Sequence, residues 1–141
     1  MPNTAIAVKE SVNFVASENA SPVQIEIINN LFNELGLTIT IEERLMTACT
    51  ALSSCGIAYA FRYIRAAIEG AVELGIYPEM AKNVILQTLT GAVTLLETNG
   101  SHPEVEIDRV TTPGGITIKG LNAMEEAGFT NAVIKGLKAS V

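Results

Sequence analysis

The first third of the chain alternates short β-branched runs with a helical hydrophobic pattern. Residues 11–17 and 37–42 are predicted strands, and the second of them alternates threonine with isoleucine. Between them, Ser21 is a predicted N-cap and Pro22 the first residue of a helix that Gly36 closes. Five apolar residues then follow at helical spacing: Ile25, Ile28, Leu31, Phe32 and Leu35. The pattern predicts a β-α-β segment of the kind that ends an α/β domain.

After residue 43 the hydrophobic pattern is helical. Helices are predicted over residues 43–53, 57–74 and 78–99, and Gly75 and Gly100 end the last two. The 57–74 helix is apolar nearly all round, with its charges three or four residues apart on one stripe: Arg62, Arg65, Glu69 and Glu73.

The tail carries two shorter helical patterns. One follows Gly114-Gly115 and stops at Gly128, and the other starts after Thr130, a predicted N-cap, and ends near Ser140. The chain is therefore predicted to be mainly α, with residues 1–43 as the β-α-β segment and residues 44–141 as a helical domain.

The composition indicates more apolar surface than one small chain can bury. Hydrophobic residues make up 48% of the 141 residues and charged residues only 17%, and residues 83–96 carry no charge at all. Such a surplus favours an oligomer, here an intertwined dimer, over the alternative of an ordinary small-bundle core. The net charge of −6 argues against nucleic acid or an anionic membrane as a partner. The uncharged run 45–61 is shorter than the ~20 apolar residues of a membrane span.

The two cysteines do not have the spacing of a metal or redox site. Cys49 and Cys55 lie near no histidine or carboxylate cluster, so we expect reduced core thiols, no bound metal and a cytoplasmic protein. Residues 1–20 lack the basic and apolar regions of a signal peptide.

The segment 110–121 carries the candidate chemistry. It is a hydroxyl-rich turn, Thr111-Thr112-Pro113-Gly114-Gly115, that leads into a helix. The first-turn amides of a helix lack intrahelical partners and form the positive end of its dipole. With the glycine backbone they can form a nest for a carboxylate or phosphate. The alternative is a capped turn that binds nothing.

Three segments resemble the pyrroline-5-carboxylate reductases. Residues 110–121 are similar to the family signature V-[ST]-S-P-G-G-[TA]-T-I-x-[GA]-L, and residues 50–59 to T-A-L-S-G-S-G-P-A-Y. Residues 1–4 match the M-P-N-T that ends the family's nucleotide-binding domain. Four further features fall in the family's order: Leu95-Leu96-Glu97-Thr98, His102-Pro103, Asp108 and Gly128-Phe129. The resemblance covers essentially the whole chain.

The resemblance implies hydride transfer from NADPH or NADH to the C=N bond of 1-pyrroline-5-carboxylate, which gives L-proline. Thr117 would orient the ring nitrogen through its hydroxyl or through a water relay, since a neutral threonine is a poor acid. Asn3 would lie close to the nicotinamide. The resemblance also implies that the substrate carboxylate lies on the backbone amides around Gly114, Gly115, Ile116 and Thr117. The Thr112 hydroxyl would assist, and Val110 would form one wall of the ring pocket. In this family the helices of two subunits interleave; larger ring-like assemblies of dimers are possible and are not readable from the sequence.

The chain departs from the family mainly in what it lacks. No G-x-G-x-x-G is present, so we expect a truncated chain that is inactive by itself, with the cofactor bound mostly by the missing domain. NADH and NADPH preference is not readable from these residues. Four substitutions bear on the pocket: Ser54, Cys55, Ile57 and Ile116. They leave open a non-catalytic dimerisation module of the same origin, and the helical domain of another dehydrogenase ranks last.

Two further residue sets have alternative interpretations. His102, the only histidine, is expected to cap a helix rather than to act as an acid, because Pro103 follows it. Residues 50–59 would either contact ligand or provide close helix packing through small side chains.

Overall fold

The computed structural model describes residues 1–141. Two compact units form, Met1–Ala60 with Val133–Val141, and Phe61–Ala132. The elements in chain order are a 3₁₀ turn (Thr4–Val8), β1 (Ser11–Val15), α1 (Pro22–Asn33), β2 (Gly36–Thr40), a second 3₁₀ turn (Glu43–Leu45), α2 (Met46–Thr50), a π-helical turn (Ala51–Cys55), α3 (Gly56–Glu73), α4 (Pro78–Asn99), α5 (Pro103–Arg109), α6 (Ile116–Glu126) and α7 (Phe129–Lys138). The predicted class, mainly helical with a short β-α-β segment, is confirmed.

The β-α-β segment is held by a local cap and a parallel strand pair. The Ser21 hydroxyl accepts a hydrogen bond from the Gln24 amide, and the Gln24 side-chain oxygen accepts one from the Ser21 amide, so α1 begins at the predicted residue. β1 and β2 pair in parallel from Ser11↔Gly36 to Val15↔Thr40. A crossover helix between neighbouring parallel strands is the arrangement of α/β domains.

Gly36 lies in β2 rather than at the end of the helix. The C-cap of α1 is Glu34, and Gly36 has φ +135°, a conformation that side chains rarely adopt. A Cβ at Gly36 would overlap the carbonyl oxygen of Ser11 on the neighbouring strand. Strand pairing therefore requires the glycine, and the local pattern of a helix end does not predict that requirement.

On its other edge, β1 makes two backbone hydrogen bonds to Met1. The Ser11 amide donates to Leu35 and the Val15 carbonyl accepts from Ile41, so these β1 groups point to β2. Phe14 alternates with them, and its amide donates to the Met1 carbonyl at 2.9 Å while its carbonyl accepts from the Met1 amino group. β1 is thus flanked by backbone on both sides.

Residues 43–73 are helical without the predicted break between 53 and 57. The π-helical turn Ala51–Cys55 joins α2 to α3, and Gly56 keeps right-handed helical angles, φ −54° and ψ −35°. The break prediction is wrong because Ser54, Cys55 and Gly56 disfavour a helix without forbidding one. A π turn accommodates one extra residue in a continuous helix.

The later helices agree with the prediction except at one cap. Pro78 opens α4 and Gly100, with φ +59°, closes it. α7 begins at Phe129, so the prediction of Thr130 as its N-cap is wrong. Gly128 has φ +83°, which ends α6, and its carbonyl already accepts from the Ala132 amide. Gly128 therefore both ends α6 and accepts a hydrogen bond from the first turn of α7.

Few hydrophobic side chains are buried within the single chain. Only Phe14, Ala51 and Ala81 are buried, and 10409 Å² of surface is accessible to solvent. Cys49 and Cys55 are free thiols of intermediate exposure, so they do not lie in a deep core. None of the helices combines the length and the apolar character that crossing a membrane requires.

Candidate anion-binding site

The candidate site begins with a tight turn over residues 112–115. The Gly115 amide donates to the Thr112 carbonyl at 3.0 Å, which closes the turn. Gly114, the third residue, has φ +73°. Proline in the second position and a positive φ in the third are the features of a type II turn. Pro113 and Gly114 therefore direct the chain into α6 for local reasons.

Gly115 leaves room for the Thr112 side chain and does not offer a free backbone amide. A Cβ here would lie 2.7 Å from the Thr112 hydroxyl oxygen and 3.0 Å from its carbonyl oxygen. Because its amide closes the turn, it is not available to a ligand in this conformation. The amides of Gly114, Ile116 and Thr117 make no hydrogen bond within the chain.

The N-terminus of α6 has the electrostatic character expected of an anion site. α6 is 11 residues long, and its N-cap, Gly115, has no side chain to satisfy the first-turn amides. The unpaired amides and the helix dipole both favour a bound carboxylate or phosphate. No acidic side chain occurs between Thr111 and Lys119 to oppose it.

The side chains around the turn are open to solvent in the single chain. Val110, the C-cap of α5, is 62% exposed and Ile116 is 85% exposed. Thr112 and Thr117 are exposed as well, whereas the Thr111 hydroxyl donates back to the Ile107 carbonyl at 2.7 Å. Thr111 therefore anchors the turn to α5. The structure brings together Val110, Thr112, Gly114, Gly115, Ile116 and Thr117, and their roles toward a ligand remain predictions.

A family model described as pyrroline-5-carboxylate reductase dimerisation matches residues 43–141. The chain belongs to this family. Pyrroline-5-carboxylate reductase 2 of Dictyostelium discoideum is 42% identical over 99% of this chain and 51% of its own length. Pyrroline-5-carboxylate reductase 1 of the same organism is 45% identical over 99% of this chain and 28% of its own length.

Solved structures give the same assignment. The crystal structure of Plasmodium falciparum pyrroline carboxylate reductase with NADP bound is similar with a TM-score of 0.94 and 32% identity, over 99% of this chain and 57% of that one. A reductase from Coxiella burnetii has a TM-score of 0.94 at 28% identity, over 99% and 53%. The chain thus spans about half the length of most of the reductases it matches here.

The family motif at residues 50–59 forms the π-helical turn and the start of α3. The Ser53 hydroxyl oxygen is buried there without a hydrogen-bond partner. The Tyr59 hydroxyl contacts the Gly136 carbonyl at 3.2 Å and the Ser140 hydroxyl at 2.5 Å, which ties the end of α7 to α3 within one unit. Tyr59 supports the packing interpretation of the motif. π-helical turns also recur at functional sites, so ligand contact by this segment stays a prediction.

Asn3, the family's cofactor-side position, is held in place by two hydrogen bonds. Its side-chain oxygen accepts a hydrogen bond from the Ala5 backbone amide at 3.0 Å, and the Asn3 backbone amide donates one to the hydroxyl of the buried Ser11 at 3.0 Å. Asn3 thus caps the first 3₁₀ turn. With its oxygen engaged, the carboxamide NH₂ is the group it can offer a ligand.

His102 has the capping role that the sequence predicts. Its Nδ1 accepts a hydrogen bond from the Glu104 amide at 3.3 Å at the start of α5, and Pro103 is the first helical residue. No group of three or more histidine, cysteine or acidic side chains is placed to bind a metal ion.

Proposed function

We propose that this chain supplies the dimer interface and the substrate carboxylate site of a pyrroline-5-carboxylate reductase. The reaction is hydride transfer from NADPH or NADH to the C=N bond of 1-pyrroline-5-carboxylate, which gives L-proline. The observation that carries the proposal is the turn at 112–115, whose closing bond and positive φ leave free amides at the start of an uncapped helix. Membership of the reductase family supports 1-pyrroline-5-carboxylate as the source of the carboxylate that such a nest would hold.

The turn can bind and orient the substrate through the residues that it exposes. The amides of Gly114, Ile116 and Thr117 would hold the carboxylate, while Gly115 provides space for Thr112 and the Thr112 hydroxyl assists. The Thr117 hydroxyl would donate to, or accept from, the ring nitrogen as an orienting group. Val110 would cover one side of the ring. Fixing the imine in one orientation is the chain's main contribution, because oriented reactants gain several kcal/mol, roughly 7–11 in well-aligned systems.

The cofactor would be held mostly outside these 141 residues. When bound, the nicotinamide supplies the hydride. Within this chain only Asn3 is a candidate contact, through its carboxamide NH₂. Residues 1–43 would complete a dinucleotide-binding domain, and residues 44–141 form the dimerisation and substrate domain. The parallel pairing of β1 with β2 across the crossover helix α1 supports that division, since it is the arrangement of α/β domains. We expect the chain alone to be inactive.

The exposed apolar surface supports a homodimer or a larger homo-oligomer. The chain exposes 10409 Å², about 3,400 Å² more than the roughly 7,000 Å² expected of one compact chain of this mass. Obligate dimers bury roughly 2,000–5,000 Å² in total, or about 1,000–2,500 Å² on each subunit, so the excess on one chain is more than enough for such an interface. On α4, where residues 83–96 carry no charge, Val84, Leu86, Val93 and Leu95 are 42–54% exposed. A small-molecule substrate, this interface and a cytoplasmic location complete the proposal, with no nucleic-acid or membrane partner.

A non-catalytic dimerisation module is the second candidate. Three substitutions favour it, because Ser54, Cys55 and Ile57 stand where the family pattern has glycine, serine and proline. A module that only dimerises has no need of the proposed anion site at residues 112–117, called the anion-binding turn below, so the two candidates differ in ligand binding.

L-proline titration of the isotope-labelled chain separates the two candidates. The reductase proposal predicts shifts of the Gly114, Ile116 and Thr117 amide signals, and Thr117→Ala should weaken binding about tenfold or more. Thr130→Ala is the matched control. The Thr130 hydroxyl donates to Glu125 near the C-terminal end of α6, whereas the turn precedes the N-terminal end of that helix. The chain is then assayed for nicotinamide oxidation with a reductase nucleotide-binding domain added. Neither binding nor turnover under these conditions would select the dimerisation module.

A further inference from the structure

The connection between α4 and α5 is organised by one carboxylate. Oε1 of Glu106 accepts hydrogen bonds from the Asn99 side-chain amide at 3.1 Å, from the Ser101 hydroxyl and from Arg109 Nη1 at 2.5 Å. The Glu106 side chain is 17% exposed, whereas Arg109 is 56% exposed. The carboxylate is therefore partly covered, while its Arg109 partner is open to solvent.

The Asn99 bond joins α5 to the end of α4, the Ser101 bond joins α5 to the connection, and the Arg109 bond lies within α5. Asn99 is the last residue of α4, Ser101 precedes the α5 cap and Arg109 is the last residue of α5. α5 has only seven residues, so intrahelical bonds alone hold it weakly. The His102 cap holds only the start of α5, so the bond between Glu106 and Asn99 is the one side-chain hydrogen bond from α5 to α4.

The far end of α5 passes directly into the anion-binding turn. The Thr111 amide donates to the Asp108 carbonyl at 3.2 Å, and its hydroxyl donates to Ile107 at 2.7 Å. The closing bond of the turn then starts from Thr112, the next residue. Hence hydrogen bonds, together with the short stretches of chain between them, connect Glu106 through the last turn of α5 to the turn that presents Gly114.

The network needs an ionised acceptor. The hydrogen bonds from Ser101 and Asn99, and then the bond and charge of Arg109, hold the pKa of Glu106 below its ordinary value. A carboxylate only accepts, so it can serve three donors, whereas a glutamine presents two N–H donors of its own. Glu106→Gln would therefore keep the shape but oppose part of the network.

We propose that Glu106 is a positioning residue for the anion-binding turn, because it fixes α5 against α4 and so sets where the free amides of Gly114, Ile116 and Thr117 point. This rests on the proposed function of that turn as the substrate carboxylate site. Glu106 touches no ligand in this proposal and acts only through α5. This role differs in one measurable respect from that of a residue that only stabilises α5. Removing the Glu106 carboxylate must raise the Kd for a ligand at the turn while most of the folding stability is kept.

The test compares Glu106→Gln and Glu106→Ala with the matched control Glu104→Gln. Glu104 lies two residues earlier on α5, is exposed and makes no side-chain hydrogen bond or ion pair. Amide spectra of the free variants report the turn, L-proline titration reports binding and circular dichroism reports folding. We expect shifted Gly114–Thr117 amide signals and an L-proline Kd raised on the order of tenfold in Glu106→Ala, a smaller rise in Glu106→Gln, and no change in Glu104→Gln.

The outcomes separate this inference from the proposed function. If the wild-type chain binds L-proline and Thr117→Ala does not, but both Glu106 variants bind like the wild type with unchanged turn signals, the positioning role is wrong and the substrate site stands. Equal losses in the Glu104 and Glu106 variants would also overturn it. If the folded wild-type chain binds no L-proline at saturating concentration, the substrate site fails and this inference fails with it. Should Glu106→Ala not fold, Glu106→Gln carries the comparison.

Discussion

Replacing Gly114 with alanine perturbs the anion-binding turn without filling any occupied space. A Cβ at Gly114 would meet no heavy atom within 4 Å, so sterics with neighbours contribute nothing. The residue has φ +73°, and holding an L-residue in a left-handed conformation costs about 1–2 kcal/mol. The turn must either keep that strain or change its type, which would redirect the amides of Ile116 and Thr117.

The expected size of the effect follows from these two routes. If the turn keeps its shape, stability falls by about 1–2 kcal/mol, which is about 3–8 °C in Tm for a chain of this length. If the turn changes type, stability is nearly unchanged but the amides no longer converge, and L-proline binding falls about tenfold or more. Either route lowers binding or stability, and the two are told apart by thermal unfolding measured together with an L-proline titration.

Gly120→Ala is the matched control for Gly114→Ala. Gly120 lies inside α6, has ordinary helical backbone angles and also has open space where a Cβ would be. Alanine in a helix interior is more favourable than glycine by about 1 kcal/mol, so this variant should be more stable and bind normally. Unchanged stability and unchanged binding in Gly114→Ala would refute the argument that a left-handed residue shapes the turn.

Three further changes test other parts of the structure. Gly36→Ala should cost more than about 3 kcal/mol in urea unfolding, because its Cβ would overlap the Ser11 backbone across the strand pair; a loss below 1 kcal/mol would contradict the strand register. Ser21→Ala removes the cap of α1 and should cost about 1 kcal/mol by the same assay, whereas Gln24→Ala should cost less, since it leaves the Ser21 bond intact. The lowered pKa of Glu106 means that its contribution to stability is present above the unfolded carboxyl pKa and is lost as pH falls through the folded one. Wild type should therefore be more stable than Glu106→Gln at pH 7, and the difference should shrink below roughly pH 4; a difference that is constant with pH would be inconsistent with the carboxylate network.

Some features of this protein follow from the sequence because short-range chemistry decides them. Ser21 with Gln24, Pro78 and Gly100 mark helix ends through bonds and backbone angles that involve only a few neighbouring residues. The turn at 112–115 is of the same kind, since Pro113 and Gly114 select its shape before any tertiary contact forms. The β-α-β order and the uncharged helix could be predicted for the same reason.

Other features were decided only when distant segments met. Gly36 looks like a helix terminator in the sequence, but the Ser11 strand beside it is what requires a glycine. The continuous helix through Ala51–Cys55 could not be predicted, because weak local preferences leave helix and loop close in energy and packing then selects between them. In the sequence, Glu106 is only an acidic residue in the segment that forms α5. Its hydrogen bond to Asn99 depends on how the ends of α4 and α5 meet, which the sequence pattern does not predict. Local chemistry thus determined where the anion-binding turn forms, and tertiary contacts determined what holds it.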